Sequence, residues 1–359
     1  MPDLPQLPII ENALFIDNSS FERIVRCPRS AYFYILRKRE ANRPTSALSY
    51  GRNLHKALEV RYSDPDALQI PSPEVAAQQM ETLREEFADY PTDDWRTFDQ
   101  AVATIRAYNE EYPFEEFEVK TVVNPDGVRM PLVELPFAYP LFEMSLNRDV
   151  LDASGKPVHV DNLVIVWQGR IDLVVEKNGR LYLLDHKTTS MGGATYFKQF
   201  ELSHQFYGYV YVAQKILKQP FAGFYVNALV GRKPIKTGRS IEFMRNLFDI
   251  DEAHLADWFR DTQSVLGQFV FNCLQSHFPK YTFNCVGKFG LCEYHDVCLQ
   301  RTPEMAEILL QSGDFRDVDW DPLHDGPRTS ARKDPGHEVR PDFVDSTIAH
   351  LIKMKEDKS

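Results

Sequence analysis

The chain contains few cysteines, and none of them forms the C-x2-C knuckle that is typical of zinc sites. Only 5 cysteines occur among 359 residues. Long apolar runs are also missing, since the longest stretches fall far short of the ~20 residues that span a bilayer. The sequence therefore argues against a zinc-finger protein and against a membrane-spanning one.

Positive charge is scarce as well. The 41 Lys and Arg residues face 52 Asp and Glu residues, which gives a net charge of −11. Phosphate binding needs positive surface, so this balance argues against broad coating of nucleic acid, although a local basic channel stays compatible with it. Candidate channel residues occur in two groups, namely Arg23, Arg26, Arg29, Arg37, Lys38 and Arg39, and then Arg232, Lys233 and Lys236.

Three aromatic residues, Tyr32, Phe33 and Tyr34, lie within the first basic group. They would either stack on the bases of a single strand or pack the first helices against the core. The second role is the more common one for aromatic residues near helices.

The start of the chain, MPDLPQLPII, lacks the basic region and the apolar core of a secretory signal. With 43% hydrophobic and 26% charged residues, the composition is ordinary for a soluble protein. We therefore expect a cytoplasmic protein whose thiols stay reduced, with no membrane partner.

The most informative segment is 168–189, which reads QGRIDLVVEKNGRLYLLDHKTT. Two apolar runs flank Asn178-Gly179, and Asn-Gly between such runs is the strongest short-range signal for a hairpin with a type I′ turn. A two-residue loop pairs Lys177 with Arg180. Counting outward from that pair places Asp172 directly opposite Asp185.

Two carboxylates placed opposite each other destabilise a sheet unless a cation lies between them. Lys187 lies two residues beyond Asp185 and therefore on the same strand face. This pattern indicates a metal-dependent site that hydrolyses a phosphodiester. The alternative is a surface hairpin with scattered charges, and a register slip of one residue would separate the carboxylates.

Several motifs resemble the PD-(D/E)xK nuclease superfamily. GRID, followed thirteen residues later by DHKT, is similar to the GxxD…DxKT core of RecB-type, AddB-type and Cas4-like nucleases. SYGRNLHKALE resembles the upstream GxxxH motif and places His55 at the position of a metal-binding histidine. HQFYGYVYVAQ resembles the QxxxY motif, with Gln205 and Tyr209. VELPF resembles the strand before the core, and its acidic residue is Glu134.

The resemblance implies an α/β fold, with a restriction-endonuclease-like mixed sheet core flanked by helices. It also implies that Mg²⁺ or Mn²⁺ is coordinated by His55, Asp172, Asp185 and the backbone carbonyl of His186. Lys187 would position the attacking water or neutralise charge on the phosphate. Gln205 and Tyr209 would orient Lys187 or hold the strand, and Glu134 is a further candidate. Without this resemblance, His55 and Tyr209 would be interpreted as ordinary core or surface residues of a helix.

Four of the cysteines form a second set of candidate ligands. Their long and uneven spacings, C-x6-C-x5-C after a lone cysteine near the start, suit an iron–sulfur cluster better than zinc. RCPRSAYFY and CVGKFGLCEYHDVC resemble the cluster segments of AddB-type and Cas4-like nucleases, although some relatives have C-x2-C in the second segment. The resemblance implies a [4Fe-4S] cluster that joins the N- and C-terminal segments through Cys27, Cys285, Cys292 and Cys298.

Zinc and an incomplete cluster remain alternatives at this second set. His277 and His295 are candidate substitute ligands, and Cys273 is expected to be a buried free thiol. A cluster held this way would be structural rather than redox-active, because it would close a very long loop.

The motifs and composition predict three regions. They are an N-terminal extension at 1–18, a nuclease domain at 19–300, and a charged, weakly structured tail at 301–359. The nuclease domain contains a helical insertion at about 56–115 and the cysteine segment 273–300. Within it we expect strands over 117–189, a helix over 199–218, a strand over 221–230 and a helix over 241–275.

The function implied by these motifs is a divalent-metal-dependent DNA nuclease, an exonuclease on single-stranded ends in recombination, repair or phage DNA processing. Its partners would be DNA with single-stranded ends and a helicase, recombinase or integrase. One alternative is a partner-dependent nucleic-acid-binding subunit of a nuclease complex. Another is a structure-specific or sequence-specific endonuclease, but no helix-turn-helix or zinc-finger signature is present for sequence recognition.

Overall fold

The computed structural model of the chain describes residues 4–42, 46–64, 71–88, 90, 95–123, 129–233, 240–287 and 290–318. Its backbone divides into two units. The first comprises Met1–Arg43, Pro136–Arg170 and Asp257–Ser359, and the second comprises Pro44–Leu135 and Ile171–Ala256. The first unit is thus assembled from three separate stretches of chain and the second from two.

The strands are β1 Ala13–Ile16, β2 Arg39–Ala41, β3 Glu118–Val119, β4 Thr121–Val123, β5 Arg129–Pro131, β6 Val133–Leu151, β7 Pro157–Lys177, β8 Arg180–Thr189, β9 Phe221–Gly231, β10 Ile241–Asp249, β11 Val286–Gly287, β12 Gly290–Leu291 and β13 Phe315–Asp317.

The helices are α1 Asn18–Arg26, α2 Pro28–Ala31, α3 Ser46–Ser63, α4 Pro73–Glu86, α5 Phe98–Glu111, α6 Ala194–Phe197, α7 His204–Leu217, α8 Glu252–Leu274, α9 His295–Leu299 and α10 Pro303–Leu310. A π-helical turn covers Tyr32–Leu36, and 3₁₀ turns cover Lys198–Phe200 and Thr282–Asn284. Within the described residues, no helix has both the length and the apolar character that crossing a bilayer requires.

The predicted hairpin is the centre of the second unit. Strands β7 and β8 pair antiparallel from Lys177 opposite Arg180 to Leu173 opposite Leu184, which confirms the predicted register at these five pairs. Asn178 and Gly179 have φ angles of +52° and +73°. The turn forms here because Asn and Gly are the residues that adopt two successive positive φ angles most readily.

The remaining strands of this unit make the sheet mixed. Strand β8 pairs parallel with β9, β10 pairs antiparallel with β9, and β3 pairs antiparallel with β7. On one face, α3, α4 and α5 bury Leu54, Leu83 and Ile105 in a cluster with Leu184 and Tyr225 of the sheet. This architecture is consistent with the expected restriction-endonuclease-like fold.

Helix α7 packs against the sheet through Phe206, whose ring is stacked on Phe224 of β9 at 4.2 Å. Phe224 is in turn stacked on Phe248 of β10 at 4.8 Å. Because neighbouring residues of a strand point to opposite faces, Phe224 and Tyr225 contact different sets of helices. The sheet of this unit is therefore covered by helices on both faces.

One predicted element is wrong. The segment 241–275 was expected to be helical throughout, but 241–249 forms strand β10, and α8 begins only at Glu252. The strand pairs with β9 along its whole length, from Ile241 opposite Gly231 to Asp249 opposite Gly223. A short apolar run does not distinguish helix from strand, so the pairing with β9 decides the structure.

In the first unit, strand β1 pairs parallel with β7, from Ala13 opposite Val164 to Ile16 opposite Trp167. Trp167 is fully buried, and it contacts Phe21 of α1 and Trp258 of α8 edge to face at 5.3 and 5.6 Å. Part of the predicted N-terminal extension is therefore a strand of the sheet.

The predicted weakly structured tail begins too early. Within it, α10 and β13 are regular elements, and β13 pairs antiparallel with β2. Leu310 and Phe315 are buried in a cluster with Phe33 and Tyr294, and this apolar contact explains why the segment is structured. The rest of the tail, 319–359, lies outside the described residues.

The first basic group is largely occupied by contacts within the first unit. Arg23 and Arg37 form ion pairs with Glu293 and Glu307. The Arg29 Nε atom donates to the carbonyl of Phe278 at 2.8 Å, and Arg39 Nε donates to that of Leu310 at 2.9 Å. Phe33 and Tyr34 are 4% and 6% exposed, so the two aromatic residues pack rather than project. Lys236 of the second group lies outside the described residues.

Candidate active site

Asp185, His186 and Lys187 lie near the end of β8, which is hydrogen-bonded to β9 from Leu181 onward. Strand alternation places Asp185 and Lys187 on one face and His186 on the other. The Lys187 Nζ atom lies 2.8 Å from Asp185 Oδ2. Burial alone would lower the pKa of Lys187, but the Asp185 and Asp172 carboxylates raise it above its ordinary value. Lys187 is therefore an ammonium ion across the neutral pH range.

Gln205, in the first turn of α7, contacts both members of this ion pair. Its Oε1 atom accepts from Lys187 Nζ at 3.3 Å, and its Nε2 atom donates to Asp185 Oδ1 at 3.3 Å. The amide thus fixes the lysine relative to the carboxylate. Tyr209 follows one turn later in the same helix and is buried.

A second group of potential ligands comes from three elements. His55 of α3, Glu134 of β6 and Asp172 of β7 offer ligand atoms that all lie within 4.8 Å of one another. The Nδ1 atom of His55 is 3.4 Å from Asp172 Oδ2. The expected ligand set included Asp185 and gave Glu134 only a secondary place. In the structure, Glu134 belongs to the group, while Asp185 is engaged by Lys187.

The two aspartates continue the hairpin beyond its ladder. The ladder pairs end at Leu173 and Leu184, so Asp172 and Asp185 hold the next position on each strand. At this point the main-chain N–H of His186 donates to Asp172 Oδ2 at 2.8 Å. A side-chain contact therefore continues the pairing of β7 with β8 and orients the Asp172 carboxylate.

Glu134 has an unusual backbone conformation, with a φ of +48° inside strand β6. A non-glycine residue in the left-handed region is strained, and such residues cluster at active sites and ligand clamps. No sequence pattern signals this conformation, and a glutamate at the edge of a predicted strand needs no special function, so Glu134 was only a further candidate. The strain is consistent with a functional position for this carboxylate.

Helix α3 approaches β8 closely at Gly51, one turn before His55. A Cβ atom at Gly51 would lie 2.5 Å from the Oγ1 atom of Thr188. The glycine of the GxxxH motif and the threonine of the DHKT motif are therefore in contact. Glycine destabilises a helix interior by about 1 kcal/mol relative to alanine, and the close approach explains its presence here.

Burial favours the neutral form of both histidines near Asp172, because it lowers their pKa values. Burial lowers the pKa of His55, and the nearby Glu134 and Asp185 carboxylates only partly offset this. Burial also lowers the pKa of His186, well below its ordinary value, with further contributions from His55, Arg245 and Arg61. A neutral imidazole is the form that binds a metal, so the state of His55 suits a ligand.

The group formed by His55, Glu134 and Asp172 fits a divalent cation. Two ligand atoms on opposite sides of an ion, each about 2.0–2.1 Å from it, are about 4 Å apart. The ligand atoms of this group lie within 4.8 Å of one another, which is close to that distance. Carboxylate oxygens and imidazole are donors that suit Mg²⁺ and Mn²⁺. The geometry and the chemistry of the donors agree.

A family model described as the PD-(D/E)XK nuclease superfamily matches residues 18–299. The chain belongs to this superfamily. Its nucleases use divalent metals, and this nuclease has a group of side chains suited to one. A search of curated proteins finds no match.

Two solved structures are similar to this nuclease in part. A presumed exonuclease from Eubacterium rectale aligns at 9% identity with a TM-score of 0.47, over 83% of this chain and 93% of its own. The protein SSO0001 aligns at 12% identity with a TM-score of 0.23, over 72% of this chain and 78% of its own.

The four predicted cluster cysteines all lie in the first unit of the nuclease and line one small pocket, together with His295 and Lys280. The four residues are Cys27, Cys285, Cys292 and Cys298. Their thiols are free of disulfides. Burial raises the pKa values of Cys292 and Cys298. Cys273 is buried in α8 at 1% exposure, as expected of a free thiol.

Main-chain hydrogen bonds shape the loop around this pocket. The Cys292 N–H donates to the carbonyl of Cys285 at 2.8 Å, and the Tyr281 N–H donates to the Cys27 Sγ atom at 3.4 Å. A sulfur that accepts a main-chain hydrogen bond is a common feature around metal-bound thiolates. The structure thus brings together one cysteine near the start of the chain and three that follow 258 to 271 residues later.

Proposed function

We propose that the chain is a divalent-metal-dependent DNA nuclease that degrades DNA from single-stranded ends. The observation that carries this proposal is the convergence of His55, Glu134 and Asp172 beside the Asp185–Lys187 ion pair. Hard ligands next to a positioned ammonium ion are the groups that phosphodiester hydrolysis needs. DNA as the substrate is proposed from the motif resemblance.

His55, Glu134 and Asp172 would hold the cation, with the main chain of His186 and the carboxylate of Asp185 close to His55 in space. When bound, the cation polarises the scissile phosphate and makes water a better nucleophile near neutral pH. The His186 N–H holds one oxygen of Asp172 at 2.8 Å and limits the rotation of that carboxylate. The donors are thereby arranged before the ion binds.

Lys187 would act on the phosphate or on the attacking water. Its ammonium stays protonated because Asp185 and Asp172 raise its pKa against the effect of burial. Gln205 holds the ammonium at one place, so that the positive charge is available where charge develops on the phosphate. Tyr209, buried in the same helix, would support Gln205 or the strand.

For the first unit we propose a [4Fe-4S] cluster held by Cys27, Cys285, Cys292 and Cys298. The shared pocket supports a common ligand for the four thiols. Iron–sulfur clusters are typically held by four cysteines. Its role would be structural, because it would fix the turn at Cys27 to the segment 285–298.

The biological setting proposed from the resemblance is recombination, repair or phage DNA processing, together with a helicase, recombinase or integrase. The retained set of His55, Asp172, Asp185 and Lys187 supports an active enzyme rather than a binding subunit. A subunit without catalysis would not need both the partly buried Asp185–Lys187 ion pair and the ligand group.

End-labelled DNA tests the proposal. Linear single-stranded, linear double-stranded and circular single-stranded DNA, with RNA for comparison, are incubated with Mg²⁺, Mn²⁺ or EDTA. We expect metal-dependent release of short products from linear single strands and little loss of circular DNA. Equal cleavage of circles would contradict exonuclease activity, and cleavage in EDTA would contradict metal dependence.

A matched pair of lysine variants assigns that activity to the site. Lys187→Ala is expected to be inactive, whereas Lys198→Ala, which alters an exposed lysine paired with Glu201, is expected to cleave normally. Cleavage by the Lys187 variant at the wild-type rate would point to a different site or to a contaminating nuclease.

A further inference from the structure

The second unit contains a buried ionic group that the proposed chemistry does not use. The Glu115 carboxylate accepts from Arg245 Nη1 at 2.7 Å and lies 3.5 Å from Arg61 Nη2. The three side chains are 1%, 8% and 0% exposed. Tyr62 donates its hydroxyl to Glu115 at 2.5 Å and lies 2.7 Å from the hydroxyl of Tyr108. A carboxylate thus lies between two guanidinium groups in the core.

The side-chain amide of Asn227 connects this ionic group to His186. The Nε atom of Arg245 donates to Asn227 Oδ1 at 3.2 Å. The Nδ2 atom of Asn227 lies 2.8 Å from both Tyr108 Oη and His186 Nδ1. Because the arginine can only donate, it fixes the oxygen of the amide, and the amide nitrogen must then face the histidine.

The orientation of the amide also determines the tautomer of His186. An amide nitrogen can only donate, so Nδ1 of the neutral ring must accept, and the ring proton lies on Nε2. The Nε2 atom is buried and has no hydrogen-bond partner among the described residues. The ring is stacked on Tyr62 at 5.5 Å. Asn227 therefore supplies the polar contact that orients this side chain.

The main chain of His186 touches two of the candidate cation ligands. Its N–H donates to Asp172 Oδ2 at 2.8 Å, and its main chain is also hydrogen-bonded to the imidazole of His55. A tilt of the His186 peptide would move both ligands at once. The side chain of His186 is therefore the connection between the buried ionic group and the cation site.

Stability alone does not account for the ionic group. Burying charges carries a desolvation penalty that often exceeds their mutual attraction, and apolar replacements of equal volume are frequently neutral or stabilising. The group also draws on five parts of the unit: Arg61 and Tyr62 of α3, Tyr108 of α5, Glu115, Asn227 of β9 and Arg245 of β10. An arrangement of this kind fixes α3, which carries His55, relative to β8.

We propose that Asn227 and Arg245 are positioning residues for the cation site, because they fix His186 and, through its main chain, the placement of Asp172 and His55. They touch neither the cation nor the substrate. Since it concerns the same site, this role rests on the proposed function. Partners of this kind typically change metal affinity 10–100-fold when they are replaced.

The test measures Mn²⁺ binding to the full chain by calorimetry or electron paramagnetic resonance, so it needs no nuclease activity. Asn227→Leu keeps the number and branching of the side-chain heavy atoms but removes the donor to His186 and the acceptor for Arg245. We expect its Mn²⁺ affinity to fall about tenfold. Asp172→Asn marks the site, because a fall of about tenfold or more in its Mn²⁺ affinity identifies the signal as coming from the proposed ligands.

A core variant separates positioning from general loosening. Leu83 is fully buried in the apolar cluster that also contains Tyr62 and Tyr108. Leu83→Ala therefore removes packing without altering the buried ionic group. At a temperature where both variants are folded, we expect Leu83→Ala to bind Mn²⁺ like the wild type. Equal weakening by both variants, or wild-type affinity in Asn227→Leu, would overturn the positioning role.

Arg245→Lys gives a second reading in case Asn227→Leu fails to fold. The lysine keeps the charge beside Glu115 but lacks the fork that reaches Asn227 as well. We expect weaker Mn²⁺ binding, with the half-saturating Mn²⁺ concentration for cleavage raised and kcat at saturating Mn²⁺ nearly unchanged. Unchanged Mn²⁺ affinity in this variant would overturn the proposal.

The outcomes also distinguish this role from the proposed function. Mn²⁺ binding that depends on Asp172 and Asn227 in a wild-type chain that cleaves no DNA would uphold the positioning role and contradict the nuclease. A wild-type chain that does not bind Mn²⁺ would contradict both.

Discussion

The candidate cation ligands of the second unit lie on long, regular elements, whereas the four cysteines of the first unit lie at turns and on short elements. His55 belongs to α3, and Glu134 and Asp172 belong to β6 and β7. Cys27 separates α1 from α2, and Cys285 follows a single 3₁₀ turn. One set is fixed by a sheet and its hydrogen bonds, and the other depends on local turns of the main chain.

This difference predicts which parts of the structure should remain when each proposed metal is removed. Asp172 is already oriented by the His186 N–H, and Lys187 is oriented by Asp185 and Gln205. The candidate cation site of the second unit therefore keeps its geometry without an ion. Binding of metal by thiolates on turns is coupled to the folding of those turns. We expect removal of the divalent cation to stop chemistry alone, and loss of the cysteine-bound metal to loosen the structure.

The largest effect on chemistry without loss of structure is expected at Lys187 and Asp185. We expect Lys187→Ala and Asp185→Ala to lower DNA cleavage by about 10²–10⁴-fold while the circular dichroism spectrum stays that of the folded chain. EDTA should do the same to the wild type. Lys198→Ala is the matched control. An insoluble or unfolded Lys187 variant would show that this lysine supports the fold.

At the four cysteines we expect the opposite result, in which replacement lowers the stability of the protein. Anaerobically purified protein should be brown and carry about four iron atoms per chain. Replacing Cys27, Cys285, Cys292 or Cys298 by Ser should remove the colour and lower the melting temperature by several degrees, while Cys273→Ser should keep the colour. Iron analysis and thermal denaturation measure these effects.

Hydrogen exchange shows where the loosening occurs. In Cys27→Ser, the segments around 27 and 285–298 should exchange faster before the β7–β8 hairpin does. Stoichiometric zinc in colourless, stable protein would replace the iron–sulfur assignment. Undiminished iron in Cys27→Ser would show that this cysteine is not a ligand.

A smaller effect is expected at Asp172. Asp172→Asn keeps an oxygen that accepts from the His186 N–H but removes the negative charge, so divalent affinity and turnover should fall together, by about tenfold or more. Glu176→Gln alters a half-exposed carboxylate on the same strand, paired with Lys120, and should do neither. Calorimetry with Mn²⁺ checks the pair. Wild-type affinity in Asp172→Asn would remove Asp172 from the ligand set.

The smallest effect concerns the contact between α3 and β8. Gly51→Ala should destabilise the protein by about 1–3 kcal/mol, because the new methyl group overlaps Thr188 Oγ1. Thr188→Ala removes that atom, so the double variant should recover much of the stability in a double-mutant cycle. Additive losses in urea denaturation would mean that the two residues do not interact.

Features that depend on neighbouring residues were predictable from the sequence. Asn178-Gly179 determines the turn, and the turn determines the pairing of β7 with β8 as far as Leu173 opposite Leu184, one position before Asp172 and Asp185. The lysine two residues on shares their face by strand geometry alone. The central part of the site is therefore encoded within about twenty residues.

Features that depend on distant residues were not predictable. Arg23 and Arg37 looked like channel residues, but their acidic partners lie 270 residues further along the chain. The strained backbone of Glu134 depends on how β6 is placed beside other strands, and Glu134 is not itself a glycine, the residue type that would signal a positive φ. Arg61, Glu115 and Arg245 are too far apart in sequence to suggest a common group.

The division of the first unit into three stretches of chain has a consequence for biosynthesis. Cys27 leaves the ribosome 258 residues before Cys285. The same interval separates Arg26 from Asn284, whose side chain donates to the carbonyl of Arg26 in the folded protein. At about 5–20 residues per second, this interval lasts roughly 10–50 s. During that time β2 lacks β13 and the Cys27 thiol lacks its companions, so a metal that needs all four cysteines is bound only after Cys298 has been synthesised.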